Sequence, residues 1–293
     1  MKNLNTVTSK KMNEHYFLKK KIRNTLLYVL LTFIAIYTLA PLWLLLVNSF
    51  KNQSEIISSP LGLPTSFTLS YLTNAVKEIH FFKALLVTAS ITSASVLLIV
   101  IVSSMAAWIM VRNKGRASTW VFMCFVAAML IPFQAVMYPL IQFFDDIRLK
   151  NAYGLILMYG GFGLSMSVFL YHGFAKGVPR GVEEAATIDG CNIFQMYLYV
   201  VMPLLKSITV TVIVLNSMWI WNDYLLPFLV IGNSSTKTLV LELYFARILA
   251  GQFGNPWQLI FPAVLVSIIP IIIVYLFLQK YIVKGISDGA IKS

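Results

Sequence analysis

Charged side chains in this sequence come in clumps, and the long uncharged runs between the clumps constrain the fold more than any other feature. Thr25–Val47, Ala84–Val111, Ala117–Phe144 and Asn151–Ala175 contain no Asp, Glu, Lys or Arg; Ser207–Ile231 contains one, Asp223; Ile248–Gln279 again contains none. A helix needs about 20 apolar residues to cross ~30 Å of hydrocarbon, so each run is long enough for one crossing. Composition agrees, with 58% of residues hydrophobic and 12% charged, against about 45–50% and about 25% in soluble domains. A soluble chain of this kind would expose apolar patches large enough to aggregate. The expected fold is therefore all-α: a polytopic membrane protein with six transmembrane helices, at about 25–47, 84–111, 117–140, 152–175, 207–231 and 257–279.

The first run follows Lys19, Lys20, Lys21 and Arg23, as the core of a secretory signal would. It is too long for such a core and lacks a small-residue cleavage site after it, so it reads as a retained helix. With six spans both termini lie on one side, and that side collects 16 of the 23 Lys and Arg residues. Basic loops stay inside, which puts both termini in the cytoplasm of a bacterial cell, the protein being multi-pass in its cytoplasmic membrane. The chain then divides into a basic N-terminus (1–24), one membrane domain (25–282) and a short tail (283–293). The net charge of +12 reflects this topology and the attraction of anionic membrane lipid. No basic face joins an aromatic platform, so nucleic acid is not an expected partner.

Several classes of chemistry are excluded by what is missing. There is no G-x-x-x-x-G-K-[ST] loop to cradle nucleotide phosphates; any ATP that drives the protein binds a different subunit. Cys124 and Cys191 form no metal pattern and no evident disulfide, and His15, His80 and His172 are scattered. Without clustered Asp, Glu or His near the bilayer surface the chain is not an enzyme. An ion-coupled secondary transporter or channel remains as the alternative class, and it requires ionisable residues inside the spans; only Asp223 qualifies. Small residues in spans two to four (Ala89, Ser93, Ser103, Ala107, Gly154, Gly160, Gly161, Gly163) predict close helix packing. Pro41, Pro132, Pro139, Pro262 and Pro270 permit kinks. Between the first two spans the turn-rich stretch 48–83 predicts a short helix from about Ser70. The weakly amphipathic run Thr238–Ala250 is either interfacial or re-entrant.

The long inner loop 176–206 is patterned. Pro179 suits a first helical position, Glu183 and Glu184 lie where the helix dipole favours anions, and Ala185 and Ala186 are strong helix formers. Gly190 is placed to stop that helix through a left-handed cap. Asn192 can cap a second helix, which Pro203 closes. The product is helix, tight turn, helix on the cytoplasmic face: a short rigid knob with a flat alanine surface that can sit in a partner's groove.

These residues carry a resemblance. Glu184-Ala185-Ala186, Asp189-Gly190 and Val-Val-Met-Pro203 resemble the "EAA" loop of the membrane subunits of binding-protein-dependent ABC importers, although Met202 replaces the usual leucine and Cys191 a common alanine. The resemblance implies that this loop is a coupling helix docking into an ATPase subunit, with that role carried by Glu183, Glu184, Ala185, Ala186, Asp189, Gly190 and Pro203. Trp221-Asn222-Asp223-Tyr224 with Pro227, the tail from Gln279 to Lys292, and Pro64 with Phe67-Thr68-Leu69 and Tyr71 are similar to sugar permeases of the maltose and multiple-sugar type, and specifically to the second permease of the pair. The resemblance thus implies a carbohydrate substrate moved by alternating access, a homologous second permease, two ATPase subunits holding ATP and Mg, and an extracytoplasmic solute-binding protein. No cofactor or metal is expected on this chain itself.

Candidate substrate-pathway residues are polar or aromatic groups within the spans: Gln134, Asn216, Trp219, Trp221, Asn222, Asp223 and Tyr224. Each has a plainer reading. Asp223 either lines the pathway or holds a helix end at the outer interface. Trp219, Trp221 and Tyr224 either stack on a sugar ring or belong to an aromatic belt. Gln134 and Asn216 either meet substrate or hydrogen-bond between helices. The sequence leaves the identity of the sugar open.

Overall fold

The computed structural model describes residues 2–250 and 255–290, with side chains described for 20–248 and 255–277. Among the described residues there is no strand. The helices are α1 (Lys2–Asn48), α2 (Gln53–Ser58), α3 (Ser70–Glu78), α4 (Phe81–Arg112), α5 (Arg116–Ala128), α6 (Phe133–Asp146), α7 (Ala152–Ala175), α8 (Arg180–Ile188), α9 (Ile193–Gln195), α10 (Met202–Leu204), α11 (Lys206–Asn222), α12 (Leu225–Val230), α13 (Leu239–Ala250) and α14 (Trp257–Ala290). Lys20–Asn48, Phe81–Arg112, Ala152–Ala175 and Trp257–Phe277 are long and apolar enough to cross a membrane unaided. The count reaches six if each of two sharply bent helix pairs forms one span. The chain is an all-α polytopic membrane protein.

Two of the expected straight spans are broken. The run 117–140 divides into α5 and α6, which meet at 103°. Pro132 forces the break: it lacks an N–H, and its ring disfavours helical backbone at Ile131. The chain tightens into three-residue turns there (Leu130 N–H to Ala127 O, 3.0 Å) and restarts with Pro132 as the extended residue before α6. The run 207–231 divides into α11 and α12 at Asp223–Tyr224. Pro227 has no N–H to give the Asp223 carbonyl, and the Asp223 carboxylate instead accepts the Leu225 N–H at 3.0 Å. The outer segments differ in the opposite sense. Residues 2–24 continue into the first span as one helix, and α14 runs past Gly285 into the expected tail as far as Ala290; Lys292 of that tail lies outside the described residues.

The core is a seam between α4 and α7, which pack on each other more extensively than any other pair. Small residues make it possible. A Cβ on Gly160 would meet Leu98 Cδ2 at 2.6 Å, and one on Gly163 would lie within 2.3 Å of Ile99 Cδ1. α11 closes the seam from a third side, so Ile99, Leu155, Val168 and Val212 are fully enclosed. α7 itself starts sharply: the Asn151 carboxamide accepts the Tyr153 and Gly154 N–H groups. α3 begins at Ser70 as the sequence predicts and packs on α14 with α2. α13 lies against α4 and α14. α1 packs on α14, while its apolar side chains from Leu26 to Leu42 are exposed along the helix.

Candidate functional site

The segment between α7 and α11 forms two short helices joined by a tight turn. α8 ends in a complete glycine cap: Gly190, with φ +83°, gives its N–H to Thr187 O, and Cys191 gives its N–H to Ala186 O at 3.0 Å. Asn192 then opens the second helix with a reciprocal cap, its carboxamide accepting the Gln195 N–H while the Gln195 side chain accepts the Asn192 N–H. α9 runs through a π-helical turn, Met196–Val201, into α10. Pro203 does not close this helix as expected. The helix passes it and turns only at Leu205, bending 80° into α11. Pro203 acts on the turn before it instead: it cannot donate to Tyr199 O, and the Met202 N–H bonds five residues back, to Tyr197 O.

The two adjacent acids of this segment have opposite fates. Glu183 is buried and takes a forked ion pair from Arg112 at the end of α4, with Arg112 Nε at 2.9 and 3.0 Å from its two oxygens. The same guanidinium donates to Val178 O at 3.0 Å. Glu184 and Ala185 are exposed, and Ala186 faces inward. Deeper in, Tyr197 Oη and Ser104 Oγ share a buried hydrogen bond of 2.7 Å, and the Tyr197 ring lies 6.0 Å from that of Trp108. α4 thus holds both arms of the segment, α8 by charge and α9–α10 by a hydroxyl pair and ring packing. Outward the segment presents Glu184, Ala185, Asp189 and the apolar Ile188, Ile193 and Phe194, of which Ile188 is 86% exposed.

The expected pathway residues divide into three groups. Asn216 and Trp219 share a cavity of about 790 Å³ bounded by α5, α6, α7 and α11, within the usual size of ligand pockets. Its wall is mainly Met, Leu, Ile and Phe, with Ser165 as a further polar group. Asn216 is also a helix–helix tie, donating to Ser167 Oγ at 3.0 Å and Val212 O at 2.8 Å. Asp223, Trp221 and Tyr224 lie apart from that cavity. Asp223 accepts from Tyr159 Oη at 2.8 Å and caps α12, Trp221 is buried in the apolar cluster that also holds Phe81 and Ala84, and Tyr224 packs on Tyr244 at 4.5 Å. Gln134 and Asn222 are exposed and line no part of the cavity. No group of His, Cys, Asp or Glu that would hold a metal occurs among the described residues.

Residues 99–288, which take in the second part of α4, all of α7, the 176–206 segment and both sides of the cavity, match the family described as "Binding-protein-dependent transport system inner membrane component". The chain belongs to that family. As a permease of this class it is 41% identical to the "Probable starch degradation products transport system permease protein AmyC" of Thermoanaerobacterium thermosulfurigenes, over 90% of this chain and 96% of that one. It is 32% identical to the "Multiple sugar-binding transport system permease protein MsmG" of Streptococcus mutans, over 94% and 99%. It is 30% identical to the "Melibiose/raffinose/stachyose import permease protein MelC" of Bacillus subtilis, over 86% and 91%. The fold matches a chain of the "Crystal structure of a bacterial ABC transporter involved in the import of the acidic polysaccharide alginate", with a TM-score of 0.76 over 89% of the permease and 96% of that chain, at 22% identity.

Arg112, Ser104 and Tyr197 were not readable as site residues of the permease. The only sequence signal was an arginine closing a span 71 residues before an acid in the next inner loop. The glycine cap was readable, and its strength is testable. A side chain at Gly190 meets no atom within 4 Å, so only the positive φ opposes it. Gly190→Ala is expected to cost about 1 kcal/mol, read as a downward shift in the unfolding midpoint, whereas Gly190→Asn costs less because asparagine tolerates this backbone region. Equal costs for the two would rule out backbone strain as the cause.

Proposed function

We propose that this permease is one of the two membrane-spanning halves of an ATP-driven carbohydrate importer, with the α8–α10 segment as its drive point. A homologous second permease completes the pathway, and two ATPase subunits carrying ATP and Mg dock below. An extracytoplasmic solute-binding protein delivers the sugar, and both termini face the cytoplasm. The observation that carries the reading is the two-sided build of α8. Its inward side is fixed to α4 through Glu183 and Arg112, while Glu184, Ala185 and Ile188 are left uncovered. A rigid knob with an apolar exposed tip suits a partner groove, and force applied to it passes directly into the α4–α7 seam. The cavity holding Asn216 and Trp219 supports an alternating-access route, since an aromatic face and an amide suit a carbohydrate's CH face and hydroxyls. An ion-coupled mechanism is disfavoured by Asp223, the one acid within a span run, which is engaged by Tyr159 and the α12 cap.

The test is Ala185→Trp. The residue is exposed, so the stability of the isolated permease should change by no more than about 0.5 kcal/mol. ATP-dependent uptake by the assembled importer and retention of the ATPase on purification should both fall at least about tenfold. Uptake and ATPase retention at normal levels would remove α8 as the drive point. Uptake that persists without any ATPase, but collapses with the ion gradient, would replace the whole reading with a secondary transporter.

A further inference from the structure

We infer that the permease carries a binding site for an anionic phospholipid, in a cavity of about 730 Å³ where the ends of α4, α5 and α7 meet the start of α8. The cavity is amphipathic. One part is lined by Met110, Val111, Phe122 and Met123, and the other by Lys114, Lys176 and Arg180. Arg112 also contributes, but its charge is met by Glu183. No acid lines the cavity, and among the described residues none of Lys114, Lys176 and Arg180 is in an ion pair. Three cations without counter-ions at one opening are a standing demand for an anion, and basic pockets between membrane helices meet it with lipid headgroups.

Two observations favour a lipid over a small soluble anion. The cavity lies at the end of three spans, and the residue that follows its lining Thr119 in α5 is the exposed Trp120, a residue type that settles at the membrane–water boundary. Its apolar wall continues onto α5, which has no buried residue along its length. An acyl chain can therefore lie along Phe122 and Met123, with the Phe122 ring held in place by stacking on His172 at 3.8 Å. The headgroup phosphate then sits between Lys114, Lys176 and Arg180. A free phosphate would leave the apolar half unused. The position holds for either orientation of the chain in the membrane, so the inference does not depend on the proposed function.

The experiment titrates the purified full-length permease in detergent with phosphatidylglycerol or phosphatidylcholine and measures retained lipid by native mass spectrometry. Phosphatidylglycerol should be retained in preference to phosphatidylcholine. Each basic residue near an anionic headgroup contributes about a fivefold preference, so Lys114→Gln/Lys176→Gln should weaken phosphatidylglycerol retention about thirtyfold. Phosphatidylcholine retention should be unchanged, and Lys114→Arg/Lys176→Arg should keep the anionic preference. The proposal is overturned if the glutamine variant binds phosphatidylglycerol as well as the parent, or if the arginine variant loses binding along with it. It is equally overturned if inorganic phosphate at the lipid's concentration displaces phosphatidylglycerol, which would make the cavity a small-anion site.

Discussion

Arg112→Ala will destabilise the purified permease by about 2–3 kcal/mol, seen as a fall of roughly 5–10 °C in its unfolding midpoint. The guanidinium leaves behind Glu183, which is only 9% exposed, and a buried carboxylate stripped of its partner bears the full desolvation penalty. Some water reaches both side chains, which keeps the cost below that for a fully enclosed pair. Glu183→Ala should cost less, because Arg112 at a span end can turn to water. The double variant should resemble Arg112→Ala or improve on it, since it removes the orphan acid. Arg112→Lys should recover only part of the loss, because an ammonium cannot serve both Glu183 oxygens and the Val178 carbonyl in one plane. Simple additivity of the two alanine variants would mean that the forked pair contributes nothing. Under the proposed drive, uptake by Arg112→Ala should fall more than about tenfold even where the folded protein is recovered, since α8 is then loose on α4.

Gly163→Val should be comparably severe for a different reason. A Cβ there meets Ile99 Cδ1 at 2.3 Å and Asn216 Oδ1 at 2.7 Å, so the larger side chain pushes α7 away from α4 and α11 together. Overpacking of this kind costs about 1–3 kcal/mol, and the displaced Asn216–Ser167 hydrogen bond adds to it. The matched control is Gly161→Val, two residues away, where an added Cβ meets nothing within 4 Å. Its effect on the unfolding midpoint should be slight. Gly161 nevertheless lines the large cavity, so this substitution separates packing from passage: if the cavity is the route, uptake falls while stability holds. A Gly163→Val protein as stable as the parent would mean that the close helix approach is not needed.

The sequence made the membrane class legible because a charge-free run of bilayer length has few other uses, and it made α8 legible because its start, alanine pair and glycine stop all agree. The breaks within the third and fifth runs were harder to read. Pro132 and Pro227 were visible, but a proline permits a kink without stating its size, here 103° between α5 and α6. The pathway candidates were chosen by residue type alone. Asn216 and Trp219 do meet in the cavity, yet Asp223 was already engaged by Tyr159 from 64 positions earlier. No spacing rule predicts that pairing, and the Arg112–Glu183 clamp was hidden for the same reason.

The π turn at Met196–Val201 has a further consequence. Such a turn holds one residue more than the helix around it, and one residue corresponds to about 100° of rotation and about 1.5 Å of rise. Pro203 blocks the neighbouring backbone from absorbing that surplus. The azimuth at which the exposed tip of α9, Ile193 and Phe194, meets another molecule is therefore indexed, like a gear tooth, by residue count. Shortening this stretch by a single amino acid would turn the tip by about a quarter of a revolution and leave every side chain on it chemically unchanged.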